Sequence, residues 1–418
     1  MLNPKTQQRE LVYVVLIDKI EPIIGSDNCE SAIVGGWHIM VRKEQFKPGD
    51  LAIYFEIDSR VPADKECFAF LEKRHYKIKT QKFTFGGKGN FISQGLLMHP
   101  SDFGWKTTVD TQDTSGDVLY IIDDEGVAHY SGGESRFLTK KLGVTYVEDE
   151  DNQRKSAPVD KYKKMAQRHQ KLFRKPFIRW MMQYQWGRKL LFVFFGKKKD
   201  NKNGWPAWVS KTDEERVQNM PWILKDDGKW FATEKIDGTS TTFTMKRGKL
   251  GKKEFYVCSR NVCFGAEDKA CFYDTNVYWE MAKKYKIYDV LADLMRRYPG
   301  EEWITIQGET YGEGVQKRDY SMKGHDFAAF NLIFSTKGRI PSHMMRTYLE
   351  MEYDVPCVPI LEEDMRIDQF ENVDAILAYA EGNSVIDGLP REGIVFRSED
   401  GKKSFKAVSN SFLLKYHA

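Results

Sequence analysis

The chain has 418 residues, enough for two or three domains, with 41% apolar, 13% aromatic and 30% charged residues and a formal net charge of +4. Six cysteines without tight pairing exclude a disulfide scaffold, and the longest apolar run, Leu190 to Phe195, is far too short to cross a bilayer. The small net charge hides an uneven distribution: residues 154–199 hold fifteen Lys/Arg against Asp160 alone, about +14, so the rest of the chain is near −10, which points to a local polyanion site.

The start, Met1-Leu2-Asn3-Pro4-Lys5, has no signal-peptide pattern, so a soluble, cytoplasmic protein is expected, with no stable membrane partner. Residues 1–110 read as a small β-rich module. Leu11 to Ile17, Gly36 to Val41 and Leu51 to Ile57 are strands, punctuated by Gly25-Ser26-Asp27-Asn28 and Lys47-Pro48-Gly49-Asp50. Short strands at this spacing suggest a barrel or sandwich. Arg74, Lys77, Lys79 and Lys82 alternate with Tyr76 and Phe83. That pattern suits a nucleic-acid backbone and its bases, or equally a solvated strand face.

Residues 111–204 read as an acidic linker, ending in Glu148-Asp149-Glu150-Asp151, followed by a basic helical segment. Lys161 to Lys175 fits a helix up to Pro176, and Phe177 to Trp186 a second one rich in Trp, Met and Tyr. Three readings stand for it: a nucleic-acid contact, a membrane-surface helix, or a hairpin packed through its aromatics. From 205 to 418 strands and helices alternate in a mixed α+β pattern, with no internal repeat. Phe231 to Thr233, Thr239 to Met245, Phe255 to Cys258, Trp303 to Ile306, Phe327 to Phe334 and Gly393 to Arg397 are strands, and Val277 to Tyr298 is the clearest helix.

The chemistry sits in this last part. Glu234-Lys235-Ile236-Asp237-Gly238 places a lysine one spacer ahead of Asp-Gly, the pattern of a lysine that accepts a nucleotide. Four signals follow in order: Ser259-Arg260-Asn261, Gln307-Gly308-Glu309, Arg391-Glu392-Gly393, and Lys406 in Ser404-Phe405-Lys406-Ala407-Val408. Each is weak alone, but their order and intervals reinforce one another. The competing reading of Asp237-Gly238 is an ordinary hairpin turn. Cys258, Cys263 and Cys271 lie close together without CxxC spacing, which favours buried thiols over zinc. There is no Walker A pattern and no HExxH among the eight histidines.

This order of motifs resembles the covalent nucleotidyltransferases, the polynucleotide ligases and capping enzymes. Within them the chain looks like an ATP-dependent RNA ligase of the RNA ligase 5 type, with RNA ligase 2 more distant. Val34-Gly35-Gly36-Trp37 through Glu56-Ile57-Asp58-Ser59 resembles that type's N-terminal OB module, and Lys211 to Asn219 the start of its catalytic domain. The implied fold is α+β: an OB-like β-barrel module, a basic helical insertion, and a C-terminal nucleotidyltransferase domain of the ATP-grasp-like ligase kind.

The resemblance implies that Lys235 attacks the α-phosphorus of ATP, releasing pyrophosphate and leaving a lysyl-AMP. A lysine is protonated at neutral pH, so its site is expected to lower its pKa, with a metal ion and Lys406 as the cations that do so. Glu309 is placed on the ribose, Phe330 on adenine (with core packing as the competing reading), and Arg260 near ribose and phosphate. Glu392 is placed by the lysine or its metal, and Lys406 on the α-phosphate. Glu234 and Asp237 complete the nucleotide-binding set. The metal would be Mg²⁺ or Mn²⁺, held by Glu392 and Glu309 and mostly by water. AMP would pass to an RNA 5′-phosphate, to be displaced by a 3′-hydroxyl, with nicks in a duplex as the expected substrate and a monomer as the expected form. Ser240 stands where RNA ligase 2 carries an asparagine. Val408 stands where it carries a second lysine, leaving Lys415 as a candidate substitute. Twelve residues follow Lys406, too few for the downstream OB domain of DNA ligases and capping enzymes. The alternatives are another polynucleotide ligase, a capping-type nucleotidyltransferase, or a non-catalytic nucleic-acid-binding protein.

Overall fold

Apolar residues recurring along short strands build the N-terminal module. β1 (Val12–Leu16) and β10 (Leu96–Met98) flank β5 (Leu51–Phe55), all antiparallel, while β2 (Lys19–Pro22), β3 (Cys29–Val34) and β4 (Trp37–Arg42) form a second antiparallel sheet. Tyr13, Trp37, Ile39, Tyr54 and Leu97 meet in one buried core. Burying a large side chain of this kind contributes about 1.5–3 kcal/mol. The short strands β6 (Ser59–Arg60) and β7 (Lys77–Ile78) pair, and β8 (Gln81–Thr84) and β9 (Asn90–Ser93) form a hairpin. The computed structural model describes residues 1–110, 118–147, 205–248, 251–265 and 276–417, with Ile178, Trp180, Met181, Tyr184, Leu191, Tyr273 and Thr275.

The stretch read as a linker is partly folded. β11 (Lys106–Asp110), β12 (Val118–Ile122) and β13 (Ala128–Tyr130) form a sheet, followed by α1 (Thr139–Leu142) and β14 (Thr145–Tyr146). The Leu138 N–H donates to the Val12 carbonyl at 2.8 Å, tying this stretch to β1. Its turns carry polar residues because Asp123 organises one of them. The Asp123 carboxylate accepts from Val127 N–H at 2.8 Å, from Glu125 N–H at 2.9 Å and from Lys141 Nζ at 2.7 Å.

Residues Met1–Thr145 and Trp205–Ala418 make one unit and Tyr146–Gly204 another. Of the second unit, Trp180 and Tyr184 meet edge to face at 5.2 Å, and Met181 and Leu191 are buried. The rest of the basic segment, with its two expected helices, lies outside the described residues.

The C-terminal part holds two antiparallel sheets. The first is built from β15 (Lys229–Lys235), β22 (Ile360–Arg366), β23 (Gly393–Ser398) and β24 (Ser404–Val408), in the order β22-β15-β23-β24. The strands of the second are β16 (Thr239–Arg247), β17 (Lys253–Ser259), β18 (Cys263–Phe264), β19 (Trp303–Gly312), β20 (His325–Phe334) and β21 (Gly338–Arg339). Their order is β18-β17-β16-β19-β20-β21. The expected helix over Val277–Tyr298 is two, α2 (Val277–Lys284) and α3 (Ile287–Arg297). Lys286 takes a left-handed φ of 49°, which ends one helix and starts the next. Both helices lay their apolar faces on the six-stranded sheet in one core with Phe243, Ile306 and Leu332. α4 (Ser342–Arg346) adds Met345 to that core. α5 (Val373–Ala380) covers the four-stranded sheet instead, through Ile376 and Leu377.

The N-terminal module and the C-terminal part touch through several residues of the same unit. Leu2 N–H donates to the Asn219 carbonyl at 3.0 Å, and the Arg216 guanidinium lies 5.7 Å from the centre of the Trp37 ring. Among the described residues no helix is long and apolar enough to cross a membrane.

Candidate active site

β15 and β16 belong to different sheets, and the residues joining them, Ile236-Asp237-Gly238, cross from one to the other. The motif is therefore not a hairpin turn. Gly238 is needed for close approach: a Cβ there would lie 2.3 Å from the Thr310 carbonyl oxygen. Lys235 ends β15 opposite Gly393 of β23. Gly393 has φ +153°, and a Cβ there would lie 2.1 Å from the Ala407 oxygen, so only glycine lets β24 come this close. That close approach brings Glu392 and Lys406 to the same end of the sheet as Lys235.

All eight residues singled out as site candidates line one cleft of about 310 Å³ between the sheets: Glu234, Lys235, Asp237, Arg260, Glu309, Phe330, Glu392 and Lys406. Lys235 Nζ lies 2.6 Å from Glu392 Oε1, with the lysine side chain 24% exposed. Burial alone would depress the Lys235 amine, but the charges of Glu392, Glu309 and Asp237 outweigh it and hold its pKa above the ordinary value. This is opposite to the expected lowering, because the nearest groups are carboxylates rather than cations. Glu309, on β19, is pushed up to about 8 by burial and by the neighbouring carboxylates of Glu392 and Asp237, which outweigh Lys235 and Arg260. Lys406, on β24, is brought down to about 8 by burial and then by the charges of Arg216 and Lys235.

Glu234 is buried; its Oε2 accepts from the Val385 N–H at 2.8 Å, and burial raises its pKa. The Asp237 N–H donates to the Tyr320 hydroxyl at 2.6 Å. Arg260 sits on the tight turn between β17 and β18, closed by the Ser259 N–H to Val262 carbonyl bond at 2.8 Å. Phe330 packs partly buried against a small cluster with Ile236, Tyr311 and Val358 and also lines the cleft, so it serves both core and pocket. Cys258 and Cys263 face each other across β17 and β18 as buried free thiols, while Cys271 lies outside the described residues. Lys415 is not among the lining residues and stacks on Tyr416 at 4.9 Å; Val408 is buried with Ile92 and Leu413.

The residues present fit a divalent cation. Glu392 Oε2 is buried and has no hydrogen-bond partner in the protein, an arrangement that costs free energy unless something positive meets it. Among the described residues no three His, Cys, Asp or Glu side chains converge as a complete metal site. A sparse donor set suits Mg²⁺ or Mn²⁺, which keep most of their water.

Several lining residues escaped the sequence reading. Arg397 is buried within β23 and pairs with Glu214 at 3.3 Å, while Thr212 Oγ1 and Ser240 Oγ share a hydrogen bond at 2.7 Å. Asp213 lies beside Arg260 and Lys406. The available signal was Arg397 itself: a charge in an apolar buried strand demands a partner.

Residues 228–417 match the RNA ligase family model, and residues 11–99 match an OB-fold domain model. The chain is similar in structure to Naegleria gruberi RNA ligase with PPi, at 26% identity and TM-score 0.61, over 98% of this chain and 99% of that one. A mutant of the same ligase with AMP and Mn gives 26% identity and TM-score 0.61 at the same coverage. A further mutant, with ATP and Mn, gives 25% identity and TM-score 0.61, again over 98% and 99%. No curated protein matches the chain in sequence. Residues 228–417 thus form an RNA ligase domain, and it follows an OB-fold domain at residues 11–99.

Proposed function

We propose that this RNA ligase uses ATP and Mg²⁺ or Mn²⁺ to seal 3′-hydroxyl and 5′-phosphate RNA ends at nicks in a duplex, through a lysyl-AMP on Lys235. The observation that carries this reading is the cleft itself. A lysine amine lies against an under-satisfied carboxylate, and Arg260 and Lys406 line the same space. Ligands seen with the Naegleria gruberi enzyme (ATP, AMP, PPi and Mn) support the choice of nucleotide and metal.

Lys235 would attack the α-phosphorus, forming an N–P bond as the bond to pyrophosphate breaks. Glu392 and Glu309 would hold a divalent cation, whose positive charge would favour the neutral form of the Lys235 amine. Lys406 and Arg260 would neutralise the phosphate, Glu309 would meet the ribose, and Phe330 would stack on adenine. Glu234 and Asp237 would shape the base and lysine ends of the cleft. In the second step the same cations would hold the AMP phosphate while an RNA 5′-phosphate oxygen displaces the Lys235 amine from it; in the third a 3′-hydroxyl would attack the RNA 5′-phosphorus and AMP would leave. We further propose that the protein acts as a monomer, in the cytoplasm.

Incubation with [α-³²P]ATP and either metal is expected to label the protein, and Lys235→Ala to abolish the label. Unlabelled wild-type protein with both metals would overturn the enzyme reading. Labelled protein that joins no RNA nick would point to a capping-type transferase instead.

A further inference from the structure

Residues 210–216 run along the cleft without regular secondary structure, anchored on both sides. Gln307 Nε2 donates to the Ser210 carbonyl at 2.8 Å, and Thr212 is bonded to Ser240; both partners belong to the six-stranded sheet. On the other side Glu214 pairs with Arg397, and the Lys406 N–H donates to the Glu215 carbonyl at 2.7 Å; those partners belong to the four-stranded sheet. Between the anchors, Asp213 turns its carboxylate to two of the cations that line the cleft. Oδ2 lies 2.5 Å from Arg260 NH2, and Oδ1 lies 3.6 Å from Lys406 Nζ.

One carboxylate spanning a guanidinium and an ammonium makes the same contacts that a nucleotide phosphate would make. We propose that Asp213 is a built-in stand-in for that phosphate. It holds Arg260 and Lys406 together in the ligand-free enzyme and gives way when the nucleotide arrives. This rests on the reading of Arg260 and Lys406 as nucleotide-binding residues. The neighbouring backbone is fixed, so the exchange needs only a side-chain rotation, and the Asp213 side chain is already 56% exposed. Asp213 is thus a positioning residue. It weakens phosphate binding by competing for both cations, and it helps a spent phosphate leave by taking the cations back. Its partners are also partly exposed, so the competition is of modest size.

The test is calorimetric titration of AMP and of adenosine into the full-length protein. AMP has no pyrophosphate to lose, so it cannot load Lys235. Asp213→Asn is expected to bind AMP roughly threefold to fivefold more tightly, with adenosine unchanged. A merely structural role would move both ligands or weaken AMP. Asp213→Glu should return AMP binding towards wild type, and Asp213→Ser repeats the test should the Asn variant misfold. Lys406→Ala is the control: it should weaken AMP and spare adenosine. If Lys406→Ala leaves AMP binding unchanged, the nucleotide-binding reading falls and Asp213 with it. If Lys406→Ala weakens AMP but Asp213→Asn leaves it equal or weaker, the Asp213 inference alone falls.

Discussion

At the Lys235–Glu392 pair the protein holds the proposed nucleophile as an ammonium, with the amine pKa above its usual value despite burial. A lysine ready to attack must lose that proton, so the same carboxylate that positions the amine also restrains it. Glu392→Gln removes the restraint and the proposed metal donor at once. It is expected to speed trinitrophenylation of Lys235 at pH 8 while lowering self-adenylylation by about two orders of magnitude or more. Slower trinitrophenylation would show that Glu392 does not raise the amine pKa. Lys406 gives a second titration. Its pKa of about 8 without ligand means it is charged below that value and loses charge above it. A bound phosphate raises the pKa again, so binding takes up a proton above about pH 8. AMP affinity should therefore fall as pH rises beyond about 8, and Lys406→Arg should lessen the fall, with Glu309 titrating in the same range. These residues were legible in the sequence because their types and order are unusual. Their electrostatics were not: the sign of the Lys235 shift depends on which charges fold against it, and Glu392 is 157 positions away in the chain.

At the scale of elements, the strands carrying the motifs were visible as apolar runs, and the sheet assignments were not. Asp237-Gly238 keeps a hairpin as its competing reading until β15 and β16 are seen in separate sheets, with Gly238 against the Thr310 carbonyl. Gly238→Ala should push β16 off β19, costing about 1–3 kcal/mol in overpacking. Both thermal stability and self-adenylylation are expected to drop, and an unshifted melting temperature would show that the crossing tolerates a Cβ. The run 210–216 shows the opposite weakness of sequence reading. It has no periodicity, yet it lines the cleft because its side chains pair with both sheets. Arg397 is its strongest anchor. Arg397→Met would partly strand the Glu214 carboxylate, which keeps Arg339 at 3.8 Å and the Ser404 hydroxyl, and should destabilise the fold by about 1–3 kcal/mol. Glu214→Gln in the same background should recover part of that loss, because the stranded charge is then gone. A double variant no more stable than Arg397→Met would argue against a stranded charge.

At the scale of the molecule, the outline was legible in composition: a β module in front, a basic middle, a mixed sheet domain behind. How the front and back join was not legible, since Arg216 on Trp37 and Leu2 on Asn219 depend on tertiary placement alone. The basic middle poses the remaining question. Residues 154–199 carry about +14, yet they belong to the unit separate from the one that holds the cleft. Removing them leaves residues 146–153 and 200–204 as a connector between Thr145 and Trp205, so the catalytic unit keeps its own packing. Self-adenylylation by this deletion variant should equal wild type, because every lining residue of the cleft lies outside the removed stretch. RNA binding should weaken and become less sensitive to salt. On a duplex substrate, every phosphate that the protein ceases to neutralise flattens the plot of log affinity against log salt by about 0.9. Measured between about 50 and 200 mM salt on a nicked duplex, the change in slope therefore counts the phosphates this segment neutralises. A deletion variant with the wild-type slope would remove the segment from the RNA interface and leave its charge to another surface.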